Sequence, residues 1–114
     1  MFEETEIVKQ VKALAENPLV QLTSDHWRSL LQAFSQHFPA LRRELANQGA
    51  NTNTMRVCML TVIGIRTGEQ SNLMGIKKQA VTNCKTALNS LLFNEKTSRT
   101  LYKNLASQYN IFML

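Results

Sequence analysis

The run TNTMRVCMLTVI, residues 52–63, constrains the fold most, because its apolar side chains would cover nearly every side of a helix. A surface helix buries one stripe, whereas a helix that is apolar all round is buried by several neighbours. We therefore expect this helix to lie at the centre of the fold. Asn51 or Thr52 is its predicted N-cap, and Gly64 is a natural stop at its C-terminal end.

Helical periodicity runs through the rest of the chain, and no alternation of apolar and polar residues indicates a strand. One apolar stripe typical of a helix consists of Trp27, Leu30, Leu31, Phe34 and Phe38. The predicted boundaries are Asn17-Pro18, Thr23 or Ser24, Pro39, the turn NQGANTNT, Gly64 and Gly75. Further helices are predicted over about residues 67–74, 78–92 and 97–109. The sequence thus predicts an all-α, compact domain of about six to seven helices.

A short helix, a glycine and a longer helix follow the central run, and this order is typical of a helix-turn-helix. Ser71 is the small residue where the second helix crosses the first. Gly75, four positions on, suits the turn because glycine adopts positive φ at little cost. The apolar residues expected to hold the second helix against the core are Ile76, Val81, Cys84, Leu88, Leu91 and Leu92.

The other side of that second helix is polar, and residues 70–94 contain neither Asp nor Glu. In a major groove, Gln and Asn can pair with adenine, Lys can reach guanine, and Thr can contact a thymine methyl. Arg66, Lys77 and the amide end of the first helix, with Thr67 as its predicted cap, can hold phosphates. The candidate DNA-binding residues are Arg66, Thr67, Lys77, Lys78, Gln79, Thr82, Asn83, Lys85, Thr86 and Asn89.

Charge is distributed unevenly along the chain. Residues 1–26 hold five acids and two lysines, a net charge of −3, whereas residues 27–114 hold eleven Lys or Arg and three acids, a net charge of +8. A basic C-terminal part favours an anionic partner such as nucleic acid. The alternative is a charge that serves solubility alone.

At this point the sequence resembles a known family. RVCMLTVIGIRTGEQSNLMGIKKQAVTNCKTALNSLLF, residues 56–93, is similar to the LuxR/GerE-type C-terminal helix-turn-helix effector domain. The matching positions are Gly64, Ile65, Glu69, Ile76, Val81 and Asn83. Residues 22–45 resemble the Trp- and Phe-bearing helices before this module in a bacterial subset often fused to tetratricopeptide repeats. The resemblance implies a sequence-specific DNA-binding module of a bacterial transcription regulator, with helix 78–92 in the major groove of double-stranded DNA and a homodimer on two half-sites.

The sequence departs from that family at several positions. Gln70 stands where an apolar residue usually faces the core, and Gly68 weakens the short helix by about 1 kcal/mol relative to alanine. Thr54 leaves the central helix without a capping box, and Lys77 and Lys78 replace a more usual Ser and acid. These departures leave open a degenerate helix-turn-helix that acts in protein interaction or dimerisation without DNA binding. A sigma-factor-like fragment that contacts polymerase is a third reading.

Length and composition set the broader expectations. A chain of 114 residues with 44% hydrophobic residues fits a single helical domain, with support in residues 1–50, the helix-turn-helix module in 51–93 and a C-terminal helix in 94–114. The apolar end IFML is expected to pack inward or against a partner. No apolar run approaches the roughly 18 residues that span a bilayer, and the acidic start does not fit a signal peptide. We expect a cytoplasmic protein without membrane contact, joined to a sensor domain or a partner protein.

Catalytic and metal chemistry find little support in the sequence. His26 and His37 are eleven positions apart and have no set of carboxylates or cysteines around them, so no metal site is expected. Cys58 and Cys84 form no metal or redox motif, and we expect both thiols to be free and packed inside. A glycine-rich phosphate loop is absent from the sequence. We therefore expect no enzyme and no cofactor.

Overall fold

The computed structural model describes residues 1–111. In this part of the chain all regular secondary structure is helical, and there is no strand. Its seven α-helices are α1 (Glu6–Leu14), α2 (Ser24–His37), α3 (Pro39–Asn47), α4 (Thr52–Ile63), α5 (Thr67–Met74), α6 (Lys78–Phe93) and α7 (Leu101–Tyr109). A short 3₁₀ turn over Phe2–Glu4 precedes them. The predicted all-α class is confirmed. None of the helices described here combines the length and the apolar character that a bilayer crossing needs.

The central helix is α4, as its composition predicts. Residues 57–63 are all buried, and α2, α5, α6 and α7 pack around them. Asn51 is the N-cap: its side-chain oxygen accepts a hydrogen bond of 2.8 Å from the Thr54 amide. Gly64 ends the helix in the left-handed region, with φ of 91°. The predicted cap and the predicted stop are therefore both confirmed.

The N-terminal helices support α4 through an aromatic cluster. Phe34 and Trp27 on α2 are buried, and the Phe2 ring meets the Phe34 ring edge-on, with 6.3 Å between centroids. Thr23 is the N-cap of α2, since its hydroxyl accepts from the His26 amide while the Thr23 amide donates to His26 Nδ1. The histidine here occupies the place that Glu or Gln takes in an ordinary capping box.

Two predictions at the C-terminal end are wrong. The last helix begins at Leu101 rather than near residue 97, because the preceding residues form a hydrogen-bonded loop against α6. Leu91, predicted to face inward, is 41% exposed. It lies about 60° around the helix from Leu88, at the edge of the apolar stripe. Of the apolar end, Ile111 is buried as expected, and residues 112–114 lie outside the described part.

Candidate nucleic-acid interface

The turn between α5 and α6 makes a helix-turn-helix at the predicted place. Gly75 has φ of +67°, and the Ile76 amide donates to the Ser71 carbonyl at 3.1 Å. The Ser71 hydroxyl donates back to the Ile76 carbonyl. Ser71 therefore does more than leave space for the second helix, because its side chain ties the turn to α5.

The loop between α1 and α2 packs against this turn. The Leu22 amide donates to the Leu73 carbonyl at 2.9 Å, which satisfies a backbone group at the end of α5. A β-carbon added to Gly75 would lie 2.7 Å from Gln21 Oε1. Glycine suits position 75 because of its positive φ, whereas the atoms nearest to an added β-carbon belong to the end of the exposed Gln21 side chain, which can move aside.

Gln70, the main departure from the family pattern, faces the core and is fully buried. Its Nε2 donates to Thr61 Oγ1 at 3.1 Å and to the Ile65 carbonyl at 2.9 Å. Its Oε1 has no hydrogen-bond partner among the described residues. The buried Gln70 amide is therefore accommodated by Thr61, a buried polar residue of α4. This pairing could have been predicted from the sequence, because Thr61 and Gln70 are nine positions apart on two consecutive helices.

The exposed face of α6 gathers five of the predicted residues near its N-terminus. Lys77, Lys78, Gln79 and Asn83 are exposed, and Thr82 is half-buried between them. Gln79 Nε2 donates to Asn83 Oδ1 at 2.9 Å, so the two amides are held as a pair. The structure describes no acid in the first turn and no side-chain cap on the helix. The first amides of α6 and two lysines therefore present positive charge at one end of a polar face.

Two further predicted residues lie close to this face. Thr86 is half-buried and donates to the Thr82 carbonyl at 3.1 Å, one turn back on α6. Arg66 is exposed at the start of α5, where its amide donates to Glu69 Oε1 at 3.3 Å. Arg66 is thus the N-cap of α5, and the prediction that Thr67 caps the helix is wrong, since Thr67 is its first helical residue.

Lys85 is placed differently from the expectation of an outward side chain. It is half-buried on the flank of α6 that meets α5, and its Nζ donates to Thr67 Oγ1 at 2.7 Å. Burial lowers the pKa of the Lys85 ammonium from its ordinary value. Lys85 and Thr67 therefore pair with each other across the two helices, away from the exposed amides.

The prediction that Asn89 faces DNA is wrong. Asn89 is fully buried, because the loop after α6 folds over it. Its Nδ2 donates to the Thr97 carbonyl at 2.9 Å and to Thr100 Oγ1 at 2.8 Å, and its Oδ1 accepts from Asn104 Nδ2 at 2.9 Å. Glu95 closes the network by accepting from Thr100 and Asn104. The cluster of Asn and Thr residues after residue 93 was the only sequence signal of this network.

Other reactive groups serve packing and capping. Cys58 is buried in α4, and burial raises the pKa of its thiol to about 12, whereas Cys84 is half-buried; neither forms a disulfide. Within residues 1–111 no group of His, Cys, Asp and Glu could hold a metal ion.

The arrangement can hold an anion near the start of α6 and can hydrogen-bond a flat polar surface through the Gln79 and Asn83 amides. It brings together basic side chains, helix amides and a fixed amide pair on one exposed surface. Comparisons of the chain with protein-family models, with curated proteins and with solved structures find no match.

Proposed function

We propose that the chain is a sequence-specific DNA-binding module of a bacterial transcription regulator, with α6 as the recognition helix in the major groove. One observation carries this proposal: the N-terminal half of α6 presents an exposed polar face without acids, on the second helix of a helix-turn-helix. A major groove of about 12 Å admits an α-helix, and base edges there present donors and acceptors that amide side chains match.

The amide pair on α6 supplies the base reading in this proposal. When Gln79 donates to Asn83 Oδ1, the Gln79 carbonyl oxygen and the Asn83 amino group remain available. One acceptor and one donor match the N6 donor and N7 acceptor of adenine. The intramolecular bond reduces the side-chain entropy lost on binding, because both amides are already ordered.

Backbone contacts in this proposal come from the basic residues around the turn. Lys77 and Lys78 flank the first amides of α6, and Arg66 projects from the start of α5. Such contacts fix the register of the protein on the duplex without reading sequence. They also make the affinity fall with rising salt, because bound phosphates release counterions.

The test begins with selection of bound sequences from a random duplex pool at one fixed, low salt concentration. Fluorescence anisotropy then measures the affinity of the selected duplex for the protein and for Gln79→Ala and Asn83→Ala. Each variant is expected to lose about 1–3 kcal/mol of binding free energy on the selected duplex. Gln32→Ala, an exposed amide on α2, is the matched control and should bind as the parent does. The proposal is wrong if duplex DNA is retained no better than by a neutral protein.

A second candidate is a protein-interaction or dimerisation domain that keeps the fold without binding DNA. It is favoured by Leu91, which is 41% exposed beside the half-buried Leu92 and Phe93 at the end of α6. Sedimentation at several concentrations tests this candidate with Leu91→Gln. Hydrogen exchange of the side-chain amides of Gln79 and Asn83 then distinguishes the two candidates. If dimerisation protects these amides from exchange, the face proposed for DNA is covered in the dimer.

A further inference from the structure

A cleft of about 540 Å³ opens on the flank of α6 away from the exposed amide pair. It lies between the ends of α1 and α4, the start of α5, and the facing sides of α6 and α7. Ligand sites are commonly concave and mostly apolar, with a few polar groups that fix orientation. Ala15, Ile63 and Ile65 supply the apolar part of this lining, and four of its ten residues are charged.

The polar anchor of the cleft is the Lys85 ammonium. Lys85 is half-buried, and its only described hydrogen bond, to Thr67 Oγ1, uses one of its three donors. No carboxylate among residues 1–111 lies within 4.0 Å of its Nζ. A partly desolvated charge without a counter-ion is costly, and an anion that binds beside it would remove that cost.

The other charged groups around the cleft do not supply this counter-ion. Glu69 accepts from the Arg66 amide and lies 3.9 Å from Arg66 Nε. Lys12 and Glu16 line the cleft but are exposed to solvent, which screens their charges. Lys85 is therefore the half-buried cation of the cleft that no described carboxylate pairs within 4.0 Å.

The walls of the cleft determine what kind of anion fits. Ala15, Ile63 and Ile65 form its apolar floor, and 2–8% of each of these residues is accessible. Thr61 also lines it; its hydroxyl accepts from Gln70 and keeps its own proton to donate. A DNA phosphate would satisfy the ammonium but would leave the apolar wall uncovered, whereas an amphiphilic organic anion would cover both.

We propose that this cleft binds a small organic carboxylate, whose charged end accepts a hydrogen bond from Lys85 Nζ and whose apolar body lies against Ile63 and Ile65. Thr67 orients the ammonium toward the ligand. The ligand would lie on the joint between α5 and α6 without touching Gln79 or Asn83. This site does not depend on DNA binding.

The experiment uses the ¹⁵N-labelled full chain without DNA, titrated separately with hexanoate, 1-hexanol and inorganic phosphate. Hexanoate is expected to produce saturable shifts in the amide signals of Ile65, Thr67 and Lys85. Its affinity should exceed that of 1-hexanol by about ten-fold, because the alcohol lacks the charge-assisted hydrogen bond. Phosphate, which has no apolar body, should bind more weakly than hexanoate. The proposal is overturned if hexanoate binds no more tightly than 1-hexanol or than phosphate, or if it produces no saturable shift.

Lys85→Met keeps an unbranched side chain that is one atom shorter and removes the ammonium. This variant should bind hexanoate about ten-fold more weakly, while Lys103→Met, which changes an exposed lysine of α7, should bind as the parent does. A second measurement needs no variant: bound hexanoate should raise the pKa of Lys85, read from the titration of its ¹³Cε signal, because a carboxylate favours the charged form. An unchanged titration, or undiminished binding by Lys85→Met, contradicts the assignment.

Discussion

At the scale of single residues, two asparagines on α6 show how burial divides the same side chain between two roles. Asn83 is exposed and pairs only with Gln79, whereas Asn89, less than two turns further on, is buried and fully hydrogen-bonded. Burying a polar group without partners costs free energy, so each bond that Asn89 makes has to be kept.

We predict a large loss of stability for one of the two alanine substitutions and almost none for the other. Asn89→Ala should lower the free energy of unfolding by about 2–3 kcal/mol, because Thr97, Thr100 and Asn104 each lose a partner. Asn83→Ala should change it by less than about 0.5 kcal/mol. Urea unfolding followed by circular dichroism measures both. If Asn89→Ala lowers the free energy of unfolding by no more than about 0.5 kcal/mol, the loop after α6 does not depend on Asn89.

Gln70 and Thr61 are two buried polar residues joined by a hydrogen bond. Thr61→Val alone should lower the free energy of unfolding by about 1–2 kcal/mol, because Gln70 loses an acceptor while it stays buried. Adding Gln70→Leu should recover most of that loss, since the unpaired Oε1 disappears as well. A double-mutant cycle in urea gives the coupling. Additive losses would contradict a coupled pair.

At the scale of elements, the turn between α5 and α6 depends on contacts from outside both helices. Gly75 requires positive φ, which its position after the short helix predicts, but its contact with Gln21 joins residues that are far apart in sequence. The hydrogen bond from the Leu22 amide to the Leu73 carbonyl joins the α1–α2 loop to the end of α5. The turn is therefore part of the N-terminal support as much as of the helix-turn-helix.

Gly75→Ala and Gly49→Ala should destabilise the fold by similar amounts. Both glycines have positive φ, of +67° and +71°, and each substitution should cost about 1 kcal/mol for its backbone conformation. A β-carbon at Gly49 would meet nothing within 4 Å, and the atoms nearest to one at Gly75 belong to the end of the exposed Gln21 side chain, which can move aside. Thermal unfolding measures both variants. A much larger loss for Gly75→Ala that is recovered by adding Gln21→Ala would contradict this expectation.

The sequence predicts elements well where the determinants are local. Thr67–Met74 and Lys78–Phe93 match the predicted helices closely, because Gly64, Gly75 and the periodic apolar residues act within a few positions. Lys85 and Asn89 were placed on the outer face because helical spacing shows no loop or neighbouring helix that covers them. The start of α7 is predicted too early for the same reason, since the Thr97 carbonyl and the Thr100 hydroxyl accept from Asn89 of α6 and Thr100 only precedes the helix.

At the scale of the whole molecule, one hydrophobic cluster extends from Phe2 to Ile111 and has α4 at its centre. Cys58 on α4 is enclosed from all sides, and burial raises the pKa of its thiol to about 12. A thiol reacts through its thiolate, which folding therefore suppresses at this position. The neutral thiol favours the folded state below the ordinary pKa of 9.0, and this contribution is lost as the pH rises from there toward about 12.

Thiol labelling should therefore separate the two cysteines. At pH 8 the half-buried Cys84 is expected to react with a disulfide reagent well before Cys58, and Cys58 should react at the rate of global unfolding. Mass spectrometry of quenched samples counts the labels, and Cys84→Ala serves as the control that leaves one thiol. Rapid labelling of Cys58 in the folded protein would mean that α4 opens locally.

The bond between Leu22 and Leu73 also limits how this chain can be cut or recombined. A graft of residues 51–93 onto another protein would carry both helices of the helix-turn-helix but would leave the Leu73 carbonyl at the end of α5 without the Leu22 amide that donates to it. A transplantable unit therefore has to begin before the α1–α2 loop, whereas the exposed side chains of α6 can be exchanged without disturbing this contact.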